Sequence, residues 1–131
     1  MASDRVSLTV PARGEYAKTA RMTAAELASR LGMSYDDVDD VRMAAEEAFV
    51  YASTRVADDG AVTFTFEIEP DSLTILVGPL PETSGEALGA DEPQDRYAAF
   101  ILESVCDTFE VRREAGTCTL SLVKRATFAE E

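Results

Sequence analysis

Carboxylates and two cysteines are the side chains of this 131-residue sequence with the most obvious chemistry, because the chain contains no histidine. The absence of histidine excludes a histidine-based catalytic triad, a histidine general base and most zinc sites. Cys106 and Cys118 are too few for a scaffold held together by disulfides. We therefore expect both thiols to be reduced and to lie in the core, as free cysteines commonly do.

Many of the carboxylates fall in one short stretch, at Asp36, Asp37, Asp39, Asp40, Glu46 and Glu47. The run from Asp36 to Asp40 has two interpretations. It is either a docking surface for a basic partner or the solvated N-terminus of a helix, where acidic side chains interact favourably with the helix dipole. We favour the second interpretation, which needs no partner.

Length and charge limit the class of protein. A chain of 131 residues with 46% hydrophobic and 28% charged residues fits one folded domain, which we expect over residues 1–131. The net charge of −13 argues against nucleic acid or an anionic membrane as a partner. No apolar run approaches the ~20 residues needed to span a bilayer, and residues 1–5 lack the pattern of a signal peptide. We expect a soluble cytoplasmic protein.

The first half of the chain predicts one strand and two helices. Val6, Leu8 and Val10 alternate with polar residues up to Pro11, which indicates a strand. Helical spacing of apolar residues begins near Glu15 and stops at Gly32, a typical C-terminal cap. A second helix begins at Ser34, and its apolar face is predicted to contain Val38, Val41, Ala45, Ala48, Phe49, Ala52 and Val56.

The second half predicts two hairpins separated by a loop and a helix. Alternating residues over 62–68 and 73–77 indicate the first hairpin, and residues 109–122 with a Gly116 turn indicate the second. We predict a loop over 78–93, which is rich in proline and glycine, and a short helix around 98–105. The order β, α, α, β, β, α, β, β predicts a two-layer α+β sandwich, with a mostly antiparallel sheet covered on one face by three helices.

Three stretches then resemble the anti-sigma factor serine kinases, a family within the GHKL group of ATP-binding domains, and the first of them is residues 6–13, which lead into the first helix. SYDDVDDVRMAAEEAFVYA, residues 34–52, is similar to the family's nucleotide-binding helix with its Glu-x-x-x-Asn pattern. ILESVCDTFEVRREAGTCTLSLVKR, residues 101–125, is similar to its closing helix, strand, glycine turn and strand. The resemblance covers nearly the whole chain, and it implies the GHKL fold and a regulatory role towards a sigma factor.

The resemblance also assigns the positions of the nucleotide site. Glu47 falls on the family's general base, whereas Tyr51 falls on the asparagine that binds Mg²⁺. Tyrosine is a poor Mg²⁺ ligand because its phenol is protonated at neutral pH. Gly78 begins the segment that matches the Asp-x-Gly-x-Gly motif, without its aspartate, and Arg96 begins the segment that matches the final Gly-x-Gly. We therefore expect no cofactor, with ATP and Mg²⁺ needed only if kinase activity survives.

Individual residues keep a simpler interpretation beside the one that the resemblance implies. Glu47 is either a residual base or one more acid on a helix surface. Tyr51 either fills the emptied nucleotide pocket or is a boundary tyrosine with its hydroxyl in water. Arg21 falls where the family's arginine contacts both the sigma factor and the antagonist, although a generic exposed arginine would look the same in sequence.

The functional prediction is an anti-sigma-factor-like protein that binds a sigma factor, or a STAS-type antagonist, through its protein surface. The resemblance implies a homodimer. The first alternative is an active ATP- and Mg²⁺-dependent serine protein kinase that phosphorylates the antagonist. The second alternative is a structural or dimerisation module unconnected with transcription.

Overall fold

A computed structural model describes residues 4–57, 59–81 and 93–127. In chain order, its elements are β1 (Asp4–Pro11), α1 (Ala17–Leu31), α2 (Tyr35–Ser53), β2 (Ala61–Glu69), β3 (Ser72–Pro81), α3 (Pro93–Val105), β4 (Thr108–Glu114) and β5 (Thr117–Arg125), with a 3₁₀ turn (Gly14–Tyr16) before α1. The predicted order of strands and helices is confirmed.

The five strands form one sheet in the order β1-β2-β3-β5-β4, and every neighbouring pair is antiparallel. In the chain, α3 follows β3 and leads into β4. In the sheet, β5 lies between β3 and β4. The face against the helices is apolar and buried, with Val62, Phe64, Phe66, Leu73, Ile75, Val77, Leu120 and Leu122. The opposite face is rich in threonine, including Thr63, Thr65, Thr74 and Thr119. The predicted two-layer α+β sandwich is confirmed.

Local signals in the sequence end α1 and begin α2. Gly32 adopts φ 94°, the left-handed conformation typical of a C-terminal cap, and its N–H donates to Ala28 and Ser29 carbonyls. The Ser34 hydroxyl accepts a hydrogen bond from the backbone N–H of Asp37 at 3.1 Å, which caps α2. These two caps set the turn between the helices and place them side by side.

The helix α2 supplies most of the helical side of the core. Ala44, Ala45, Ala48 and Ala52 are small enough to let the helix approach the sheet closely, and all are buried. Phe49 is completely buried and stacks on Phe64, with ring centroids 6.5 Å apart. The predicted apolar face is confirmed for its central residues, whereas Val38 and Val56 at its two ends are only half-buried.

The prediction that a loop begins at residue 78 is wrong, because β3 continues to Pro81. The register against β5 shifts between Val77, which faces Leu120, and Leu80, which faces Cys118. Gly78 and Pro79 therefore oppose one residue of β5, which is a β-bulge. The extra residue returns Leu80 to the inner face, where it is 1% exposed. Residues 82–92 of the predicted loop lie outside the described residues.

Candidate functional site on the second helix

Two of the predicted site residues, Glu47 and Tyr51, lie one turn apart on α2. Glu47 is half-buried, whereas Tyr51 is only 6% exposed. Arg55 follows one turn later, just beyond the C-terminal end of the helix, and its Cζ lies 4.0 Å from the centroid of the Tyr51 ring. A carboxylate, an aromatic ring and a guanidinium thus follow one another along α2 and just past its C-terminal end.

The burial of Tyr51 decides between its two interpretations. Its hydroxyl oxygen has almost no exposed surface, so the interpretation as a boundary tyrosine with a solvated hydroxyl is wrong. The guanidinium of Arg55 covers the ring at a distance typical of cation–π contacts. A protonated phenol beside a guanidinium does not suit Mg²⁺, which prefers carboxylate, carbonyl and water oxygens.

The pKa of the Glu47 carboxyl is raised above its ordinary value. Burial raises its pKa from the ordinary value of 4.5, and the negative charge of Glu46 raises the pKa further. Both effects favour the protonated acid. Glu47 is therefore a half-buried acid, and its role as a residual base stays a prediction.

Gly78 lies in the β3 bulge and has a structural role there. Its φ is 144°, which favours glycine, and a Cβ atom would lie 3.0 Å from the carbonyl oxygen of Cys118 and 3.1 Å from Thr119 Oγ1. The close approach of β3 to β5 thus requires a glycine at this position. Strand packing alone explains the glycine at this position, without a bound nucleotide.

Arg96 lies inside α3 and is exposed. The first four N–H groups of a helix lack partners within the helix, and α3 begins at Pro93. The N–H groups of Tyr97 and Ala98 therefore fall in the hydrogen-bonded part of the helix. The segment that matches the family's final Gly-x-Gly is thus not a helix entrance that can present these amides to phosphate.

Arg21 lies on α1 and pairs with an acid of the neighbouring helix. Its Nη1 is 3.1 Å from Glu46 Oε1, and its side chain is 30% exposed. The two residues line an open groove of about 330 Å³ between the helices, together with Met22, Asp39, Arg42 and Met43. Arg21 is thus half-buried and ion-paired rather than freely exposed, and its role towards a partner stays a prediction.

The acidic run at the start of α2 is only partly a solvated helix end. Asp37 is buried and accepts a hydrogen bond from the backbone N–H of Thr127 at 2.6 Å. Lys124 Nζ donates to Asp40 Oδ2 at 2.9 Å and to the Val105 carbonyl at 3.1 Å. Asp37 does lie in the first turn of α2, as the helix-end interpretation requires, but it is buried rather than solvated. Asp37 and Asp40 also join α2 to β5 and to the chain beyond it.

The pKa of Lys124 reflects this arrangement. Burial alone would lower the pKa, but the hydrogen bond to Asp40 and the charges of Asp40, Asp107 and Asp37 outweigh burial and raise it above 10.5. Our sequence analysis missed this cluster. The signal was present, because Lys124 continues the inward alternation of Cys118, Leu120 and Leu122 along β5. A lysine at an inward position needs a carboxylate partner.

The two cysteines are free, as predicted. Cys118 is buried and Cys106 is half-buried. Burial raises the pKa of the Cys106 thiol to about 12, although nearby Lys124 opposes this shift. At neutral pH this thiol is protonated, so it is a weak nucleophile.

The sequence pattern of the histidine kinase-like ATPase domain matches residues 10–124, from the end of β1 nearly to the end of β5, and includes all three helices. The chain belongs to the histidine kinase-like ATPase domain family. Within this family, the chain is 26% identical over 127 residues to the serine-protein kinase RsbW of Halalkalibacterium halodurans, covering 86% of this chain and 78% of that protein. It is 28% identical over 138 residues to RsbW of Staphylococcus epidermidis, covering 92% and 86%.

A solved structure of this ATPase domain family supports the fold independently. The crystal structure of the RsbU and RsbW domains of Rv1364c from Mycobacterium tuberculosis superposes with a TM-score of 0.68 at 16% identity. The match covers 98% of this chain and 34% of that longer chain. This likeness shows the fold alone. The family match and the RsbW relatives confirm the resemblance to the anti-sigma factor serine kinases as an RsbW-like relationship.

Across residues 4–57, 59–81 and 93–127, no group of three or more histidine, cysteine, aspartate or glutamate side chains is arranged to hold a metal ion. In the same part of the chain, no helix is both long and apolar enough to cross a bilayer.

Proposed function

We propose that this protein is an anti-sigma-factor-like regulator that acts by binding other proteins and has lost nucleotide chemistry. One observation carries the proposal: a buried Tyr51, covered by Arg55, stands at the position where the family has its Mg²⁺-binding asparagine. Tyr51 belongs to the buried core, so its ring offers no accessible oxygen to a metal ion in place of the asparagine.

Two further positions support the loss of the nucleotide. Gly78 is required for strand packing in the β3 bulge, and no aspartate precedes a glycine motif there. Arg96 lies within α3, where its neighbours' amides are engaged in the helix. One changed position would weaken ATP binding, but changes at the metal, adenine and phosphate positions together remove the interactions that bind it. We propose that no cofactor is needed.

The proposed partner surface is the groove around Arg21. Met22 is 54% exposed and Met43 is 42% exposed, so this groove combines accessible apolar surface with two arginines. Methionine side chains adapt to different partners, and arginine offers a bidentate fork for a carboxylate. A sigma factor and a STAS-type antagonist that use the same surface would exclude each other, which is a sufficient mechanism for regulation.

The remaining parts of the proposal follow from the family and from charge. We propose that residues 1–131 act as one unit, that the protein forms a homodimer in the cytoplasm, and that nucleic acid and membranes are not partners. The net charge of −13 disfavours binding to nucleic acid and to anionic membranes.

A second candidate function is that of an active serine protein kinase using ATP and Mg²⁺. The RsbW relatives are named serine-protein kinases, and Glu47 keeps the position of the general base. Transfer of phosphate from ATP to a purified antagonist would establish this function. The same assay on Glu47→Gln would show whether Glu47 is required.

The proposed function is tested by titrating the purified sigma factors and STAS-type proteins of the source organism, one at a time, against this protein. For a protein that binds, Arg21→Ala should weaken binding by about 2 kcal/mol or more, which is roughly thirtyfold. Arg30→Ala is the matched control, because Arg30 lies on the same helix, is exposed and pairs only locally with Glu26. The proposal fails if no such protein binds, or if Arg21→Ala binds as tightly as wild type.

A further inference from the structure

Both arginines of the α1–α2 groove are already held by carboxylates of this chain. Arg21 pairs across the helices with Glu46, and Arg42 pairs with Asp39 within α2. All four residues line the groove. A carboxylate from a partner therefore meets arginines that are already paired.

The Glu46 side chain is well placed to leave this pair. It is 43% exposed, so its carboxylate can turn into water without burying a charge. Ion pairs at this degree of exposure contribute only about 0.2–1 kcal/mol, which is a factor of about 1.4 to 5 in an equilibrium constant. The Arg21–Glu46 pair is thus weak enough to be exchanged for another carboxylate.

Simultaneous binding of two carboxylates to Arg21 is unfavourable. Asp39, Glu46 and the adjacent Glu47 already outnumber Arg21 and Arg42 in and beside the groove. The raised pKa of Glu47, to which the charge of Glu46 contributes, shows that negative charges repel one another here. An incoming carboxylate would add to this repulsion unless Glu46 moved away.

We propose that Glu46 is a built-in competitor for the partner site, and that a partner binds by exchanging its own carboxylate for that of Glu46 on Arg21. The inference rests on the proposed function, because it assumes that Arg21 receives the partner. The exchange of one ion pair for another yields less free energy than a new pair would, because the pair with Glu46 must first be broken. The partner must therefore also present an apolar side chain to Met22 and Met43, which lie exposed beside the pair. Glu46 thus selects for a segment that places a carboxylate next to an apolar residue.

The test measures the Kd of the full chain for the protein that binds wild type in the titration described above. Glu46→Gln removes the competing charge and keeps the size of the side chain, so binding should tighten about two- to fivefold. In the Arg21→Ala background, Glu46→Gln should bring a clearly smaller gain, because no guanidinium remains to be released. Glu26→Gln, which disrupts the exposed pair with Arg30 on α1, is the control for a general loss of negative charge.

The outcomes separate this inference from the proposed function. If Arg21→Ala weakens binding but Glu46→Gln does not tighten it, the competitor role is overturned and the Arg21 surface stands. Equal tightening by Glu46→Gln in both backgrounds, or by Glu26→Gln, would mean a general charge effect and would also overturn it. If Arg21→Ala binds as tightly as wild type, or if no protein binds, both proposals fail. Thermal unfolding of each variant shows whether it remains folded.

Discussion

The guanidinium of Arg55 lies over the ring of Tyr51, with 4.0 Å between Cζ and the ring centroid. The resemblance assigns Tyr51 to the family's asparagine position, and a cation of this chain, Arg55, lies beside it. The ring is buried and the half-buried Arg55 covers one of its faces, which is an arrangement typical of cation–π contacts.

We predict that Mg·ATP does not bind with useful affinity. Titration calorimetry should detect no binding tighter than roughly 100 μM, about −5.5 kcal/mol. The reason is the combined loss of the metal, adenine and phosphate positions. The double variant Tyr51→Asn/Arg55→Ala is a comparison that removes both the ring and the cation. Tight binding by wild type would contradict this prediction and favour the kinase.

Phe49→Ala should destabilise the fold by about 3–5 kcal/mol, because it opens a cavity between α2 and the sheet. Phe49 is fully buried and stacks on Phe64. Chemical denaturation measures the free energy of unfolding. Val50→Ala is the control, since Val50 is the next residue of α2 and is 49% exposed. A loss below about 1 kcal/mol for Phe49→Ala would contradict the assigned core.

Glu47→Gln should make the folded protein slightly more stable at pH 7. The folded state raises the pKa of Glu47 through burial and the charge of Glu46, so folding is opposed by the ionised carboxylate. Wild type therefore loses stability as the pH rises from the unfolded-state pKa, near 4.5, through the higher folded-state value. The advantage of Glu47→Gln should disappear below pH 4, where the acid is protonated in both states. Unfolding measured at pH 3.5 and pH 7 gives the comparison, and a pH-independent difference would contradict it.

Gly78→Ala should destabilise the protein by about 1–3 kcal/mol, because alanine strains the backbone at positive φ. The added Cβ would also lie 3.0 Å from the carbonyl oxygen of Cys118. Gly14→Ala is the matched control, because a Cβ at Gly14 has no neighbour within 4 Å. Equal stability of the two variants in thermal unfolding would show that the bulge tolerates a side chain.

The sequence by itself determined the order of the elements and much of the core. Helical spacing around Phe49 and strand alternation around Phe64 report which side of each element avoids water, and that information is local. The caps at Gly32 and Ser34 are local as well, since each depends on the chemistry of one residue and its near neighbours. These features could be predicted because each involves only a few consecutive residues.

Only the tertiary structure decided which side chains meet across the chain. Arg21 and Glu46 are 25 residues apart, Lys124 and Asp40 are 84 apart, and Thr127 and Asp37 are 90 apart. The continuation of β3 past Gly78 likewise depends on pairing with β5, which is formed much later in the chain. Periodicity assigns a residue to a face of its own element, but the partner on that face depends on how two elements pack. The helix packing therefore made a paired groove from Arg21 and Glu46, and the strand pairing made a bulge from Gly78 and Pro79.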